Sequence, residues 1–88
     1  MNVSTSARAD QFLRIKNATQ TDQVLWIEPL GDRVILRSNV LYELVGTDEF
    51  GKMEIDLCDQ GFAVHGWVKK VKALPMAGSE VVEWELPD

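Results

Sequence analysis

The sequence predicts an all-β protein, a small and mostly antiparallel β-sandwich of about seven short strands. Short apolar runs are broken at spacings of roughly 8–12 residues by turn-forming residues, which is the pattern of a sandwich or barrel. No segment carries the apolar period of an amphipathic helix. One segment, "KMEIDLC" (52–58), alternates cleanly, with Met53, Ile55 and Leu57 on one face and Lys52, Glu54, Asp56 and Cys58 on the other. The first set is expected to face the core.

In chain order, residues 1–10 are rich in Ser, Thr and Ala, lack apolar periodicity and read as a flexible N-terminal arm. A single β-sandwich domain is expected over 11–88. Its strands are "FLRIKN" (12–17), "QVLWIE" (23–28), "RVILR" (33–37), "VLYELVG" (40–46), "KMEIDLC" (52–58), "FAVHGWVKKVKAL" (62–74), open to a break, and "EVVEWEL" (80–86). The separators "NATQTD", "PLGD", "SN", "TDEFG", "DQG" and "PMAGS" hold Gly, Pro, Asn or Asp where the backbone must bend. "QVLWIE" is apolar on both faces, so Trp26 is expected in a central strand or beneath a cover, either the arm or a second subunit. In "EVVEWEL", Val82, Trp84 and Leu86 are expected inside, with Glu83 and Glu85 outside. Lys69, Lys70 and Lys72 are expected to be a solvated or edge-protecting stretch rather than a phosphate site.

Composition sets the function classes. Eighty-eight residues make one domain that buries about 60–65% of its unfolded surface. One cysteine, Cys58, cannot form an internal disulfide, which points to a reducing compartment. The polar N-terminus lacks an apolar run of signal-peptide length, and no stretch approaches a membrane span. A soluble cytoplasmic protein is expected, with no membrane partner. Fourteen acidic against nine basic residues give a net charge of −5, which argues against nucleic acid and favours a basic partner.

His65 is the single histidine, two residues before Trp67 and between Gly61 and Gly66. Its face depends on the turn joining 52–58 to 62–68, because a one-residue slip exchanges faces. A two-residue loop of Gln60 and Gly61 opposes Asp56 to His65 and Glu54 to Trp67, all on the surface. A three-residue loop from Asp59 to Gly61 opposes Ile55 to His65 and turns His65 and Trp67 inward. Turn chemistry favours the longer loop, since Gly61 suits a left-handed position. Burial favours the shorter one. Turning Phe62, Val64 and Val68 outward forfeits about 1.5–3 kcal/mol apiece, against about 1 kcal/mol for a poorer turn residue. The surface register is expected, with Glu54, Asp56, His65 and Trp67 as a candidate interaction patch. Gly66 adds the prospect of a bulge that re-aims Trp67 alone.

The chemistry-bearing residues form no catalytic set. His65 and Asp56 make either a pH-sensitive pair or an ordinary cross-strand polar pair, and nucleophile, base and oxyanion donors are not brought together. Cys58, His65 and Met76 follow the order of blue-copper ligands, but that site needs two histidines and tighter spacing. One Cys and one His leave zinc without its usual ligands. Cys58 then reads as a small residue at a strand end, and Met76 as a loop residue tucked onto the core. Asp48 and Glu49 fit no calcium loop, and Glu83 and Glu85 lack the cleft of a glycosidase pair. No cofactor and no metal are expected.

The stretch "VLWIEPLGDRVIL", followed by a "YEL" strand and a "GW" strand, resembles short bacterial β-proteins that share a strand-Pro-Gly-Asp opening. The resemblance spans roughly residues 24–68. It implies the β fold and carries no activity with it.

The function expected is a non-catalytic protein-interaction or assembly module, of immunity or adaptor type, that covers a basic protein partner. A homodimer is the self-association form of the same expectation. The alternative is a small-ligand or carbohydrate-binding β-domain that uses an exposed tryptophan, Trp67, as a platform.

Overall fold

The computed structural model describes residues 10–47, 51–59 and 61–87. Eight strands follow one another: β1 Asp10–Lys16, β2 Gln23–Glu28, β3 Asp32–Leu36, β4 Leu41–Thr47, β5 Glu54–Cys58, β6 Gly61–His65, β7 Trp67–Leu74 and β8 Val81–Glu85. They form two four-stranded sheets, β1-β4-β7-β8 and β3-β2-β6-β5. The protein is an all-β sandwich, antiparallel except where β2 runs parallel to β6. The expected arm lies outside the described residues except for Asp10, which opens β1.

Period-two alternation fixes which side chains meet. Leu13, Leu44, Val71 and Trp84 make one row across the first sheet. Leu25, Ile27, Val34, Leu36 and Val64 face them from the second. The sheets are tied at one edge by side chains: the Trp84 indole N–H donates to Asp32 Oδ2 at 2.9 Å, and Arg37 pairs with Glu83 at 3.6 Å. Glu83 and Val82 depart from the expected in-out order because the β7–β8 register shifts between Val71 and Lys72. Val82 is thereby exposed.

The expected 62–74 strand is two strands in different sheets. Gly66 breaks it at φ 132°, a conformation that favours glycine, and a Cβ there would lie 3.1 Å from Met53 Cα. Eight strands therefore replace about seven. The bulge expected to re-aim Trp67 alone is a switch of sheet that carries off the whole of β7. That strand lies between β4 and β8, so its lysines protect no edge. Lys69 pairs with Asp10, Lys70 with Glu85, and Lys72 with Glu43 and Glu80.

The β5–β6 hairpin follows neither weighed register. Glu54 opposes His65, Asp56 opposes Ala63 and Cys58 opposes Gly61, which leaves a connection of Asp59 and Gln60. The shift from the expected surface register is two residues, so the faces are the expected ones. Ile55 and Leu57 do point to the core side, yet Ile55 is 36% and Leu57 81% exposed. Neither side chain belongs to the buried core cluster or to the hydrophobic residues packed against it, unlike Phe62 and Val64 of the neighbouring β6. Met53, just before β5, does pack on the core. Met76, expected against the core, is fully exposed.

A polar cluster closes the end of the sandwich at the β1–β2 and β3–β4 connections. Asn17, 5% exposed, donates from Nδ2 to the carbonyls of Leu36 at 2.7 Å and Thr21 at 2.9 Å, while its Oδ1 accepts from the Thr19 amide and hydroxyl. The Tyr42 hydroxyl accepts from the Arg37 amide at 2.7 Å.

Candidate functional site

The outer face of the β3-β2-β6-β5 sheet is ordered in cross-strand rows. Leu25, Ile27, Val34, Leu36 and Val64 point inward, so Trp26, Glu28, Arg33, Ala63 and His65 point outward. Strand pairing places Arg33, Trp26, Ala63 and Asp56 in one row and Glu28, His65 and Glu54 in the next. His65 Nε2 reaches Asp56 Oδ2 at 2.9 Å, diagonally between the rows. His65 thus has a carboxylate on each neighbouring strand, Glu28 on β2 and Glu54 on β5, besides Asp56.

Small residues shape this face. Gly61 has φ 135°, and a Cβ there would overlap the Val24 carbonyl, so glycine is what lets β6 lie beside β2. With Gly61 and Ala63 short, the surface dips between Trp26 and the β5 side chains. The resulting depression is lined by Trp26, Glu28, Cys58, Asp59 and Ala63. The Arg33 guanidinium carbon lies 5.6 Å from the centroid of the Trp26 ring, within cation–π range. Trp26 is in a central strand, as expected, and Arg33 supplies part of its cover.

Charge is partitioned between the two sheets. On the first sheet, carboxylates neutralise most of the cations: Glu43 meets Arg14 and Lys72, Glu80 meets Lys72, and Glu85 meets Lys70, while Lys16 has no ion pair among the described residues. The Lys72 ammonium is held above its ordinary pKa first by its hydrogen bond to Glu80, with burial opposing. On the second sheet, no lysine or arginine among the described residues pairs with Glu28, Glu54, Asp56 or Asp59.

Of the expected patch, the structure brings Glu54, Asp56 and His65 together on β5 and β6. Trp67 stands apart on β7, aligned with Thr47 in the other sheet. It is 40% exposed and lines a depression with Pro29, Leu30 and Leu86 at the end of the sandwich. Sequence reasoning left Trp26, Glu28, Ala63 and Asp59 out of the patch. The parity of "LWIE" put Trp26 and Glu28 on one face, but the parallel neighbour that sets Glu28 beside His65 leaves no local mark.

Among the described residues, no three His, Cys, Asp or Glu side chains converge to hold a metal ion, and no helix is long and apolar enough to cross a membrane. Cys58 is an exposed free thiol at the end of β5. Asp48 and Glu49 lie outside the described residues. No family model, curated protein or solved structure matches this chain. The resemblance over residues 24–68 therefore assigns it to no family.

Proposed function

We propose that this chain is a non-catalytic protein-interaction module of the cytoplasm that docks a basic partner on the outer face of the β3-β2-β6-β5 sheet. The observation that carries the reading is the charge partition. Glu28, Glu54, Asp56 and Asp59 lie on the face of Trp26 and Ala63 with no ion pair to a lysine or arginine among the described residues, whereas Arg14, Lys69, Lys70 and Lys72 of the other sheet are paired within the chain. Unneutralised carboxylates beside a shallow depression suit an arginine or lysine from outside by charge, with Arg33 already seated over the Trp26 ring. A sugar platform at Trp67 is less well supported, because a sugar needs hydrogen-bonding side chains beside the ring. The depression there is lined by Ile27, Pro29, Leu30, Val68 and Leu86, with Glu28 the single charged residue.

The test uses immobilised protein and a set of basic and acidic proteins of similar size. Basic proteins are expected to be retained at low salt and released as salt rises, because exposed charges are screened beyond about 10 Å at 0.1 M. Retention should fall in a Glu54→Lys, Asp56→Lys, Asp59→Lys variant and persist in a Glu80→Lys, Glu85→Lys variant of the opposite sheet. Equal retention by both variants would remove the reading.

A further inference from the structure

We infer that the open edge of β5 takes an extended peptide as an added strand, one that alternates basic and apolar residues. The inference rests on the proposed acidic face and specifies the partner and its mode of docking. Among the described residues β5 pairs with β6 alone, and all five of its residues are exposed. A connection of only Asp59 and Gln60 makes Cys58 and Gly61 a hydrogen-bonded pair. In the antiparallel alternation Glu54, Asp56 and Cys58 then bond to β6, while the N–H and C=O of Ile55 and Leu57 point to the open edge. Such a row is a template for another strand.

The side chains of β5 specify that strand. Residues opposed across a strand pair share a face. An added strand would therefore set one alternate series beside Glu54 and Asp56, where lysine or arginine fits. Its other series would lie beside Ile55 and Leu57, where an apolar side chain would cover Leu57, now 81% exposed. The remaining edges are less suited. β3 and β8 are tied to each other by Trp84–Asp32 and Arg37–Glu83, and β1 carries Arg14 and Lys16 on its outer face. A second copy is a poor occupant of the β5 edge. Antiparallel self-pairing centred on Asp56 or Ile55 sets Asp56 against its own copy or against Glu54, and like charges directly opposed destabilise a strand pair; pairing centred on Leu57 avoids this but runs past the end of β5 at Cys58.

The experiment is an NMR titration of the full chain, isotopically labelled, with an acetylated peptide of three Lys-Val repeats. Two controls are used, one of the same composition with the lysines and valines in separate blocks and one of the same sequence N-methylated at alternate residues to remove donors along one edge. Saturable binding is expected, with exchange protection gained at the Ile55 and Leu57 amides. Affinity should fall at least about tenfold for both controls. Equal affinity of the blocked or N-methylated peptide, without protection at Ile55 and Leu57, would overturn strand addition and leave the acidic-face reading standing. If neither the alternating peptide nor polylysine perturbs Glu54, Asp56 or Trp26 at low salt, both fall. Protection that rises with protein concentration before any peptide is added would make a second copy the occupant and overturn the inference.

Discussion

His65 Nε2 lies 2.9 Å from Asp56 Oδ2, although the residue directly opposite His65 is Glu54. The pair is a diagonal contact across the β5–β6 hairpin, and both side chains are more than half exposed. Water and side-chain entropy keep such a pair weak, at about 0.2–1 kcal/mol. His65→Ala is accordingly expected to shift unfolding free energy by less than about 1 kcal/mol in urea denaturation. A larger loss would mean that the hairpin is held by this pair rather than by Val64 and the β2–β6 ladder.

Gly61 and Gly66 are expected to behave quite differently from that surface pair. At Gly66 an alanine would bring Cβ to 3.1 Å from Met53 Cα at a φ of 132°. At Gly61 it would meet the Val24 carbonyl, which belongs to the backbone and has no rotamer to escape into. Strained backbone of this kind costs about 1–3 kcal/mol. Thermal unfolding should therefore show a lower Tm for both alanine variants, with the greater loss at Gly61, where the β2–β6 pairing itself must open.

These two glycines also mark where the sequence stops being legible. The strands between turns could be read from local chemistry, and the exposure of His65 followed from weighing Phe62, Val64 and Val68 against one turn residue. Three things did not follow. Gly66 read as a bulge candidate, whereas it sends β6 and β7 into different sheets and carries Trp67 away from His65. The parallel β2–β6 pairing joins segments far apart in sequence, so Glu28 could not be set beside His65 from any local pattern. Alternation in "KMEIDLC" gave the direction of Ile55 and Leu57 but not whether an opposite strand covers them. Two-residue periodicity reports a face; burial depends on a second layer that the segment itself does not encode.

Asn17 holds a different kind of constraint. Its amide serves Leu36, Thr21 and Thr19 at once, and its backbone N–H donates to the Val40 carbonyl while its own carbonyl accepts from the Asn39 amide. Asn17→Ala leaves the Leu36 carbonyl without this donor in a buried setting, a loss of about 1–3 kcal/mol. Asn17→Asp is expected to cost more near neutral pH, since a carboxylate would face two carbonyl oxygens with no proton to give. Denaturation of the Asp variant at acid pH, where the carboxyl is protonated, should recover part of the loss; no recovery would refute the role given to Nδ2.

Lys72 gives the pH dependence a sign. Its pKa is raised, chiefly by the hydrogen bond to Glu80, so the folded state holds this proton more tightly than the unfolded chain does. The contribution is complete below the ordinary lysine value of about 10.4 and is lost as pH rises through the higher folded value. Wild type is therefore expected to exceed Glu80→Gln in stability at neutral pH, with the gap closing in strongly alkaline solution. A gap that stays constant through that range would show that Glu80 acts by packing rather than by holding the Lys72 proton.

The same substitution at two leucines separates direction from burial. Leu44 is fully buried between Leu13 and Val71 in the central row of its sheet, whereas Leu57 is 81% exposed on β5. Leu44→Ala removes transfer energy and leaves a cavity, a loss of about 2–5 kcal/mol. Leu57→Ala removes a side chain already in water, so stability should stay within about 0.5 kcal/mol of wild type. Urea denaturation of both variants checks the pair. If Leu57→Ala proves as costly as a core truncation at low protein concentration, β5 is covered within the monomer and its edge is closed. If the cost appears only at high concentration, the cover comes from another molecule, and Leu57 is where that molecule sits.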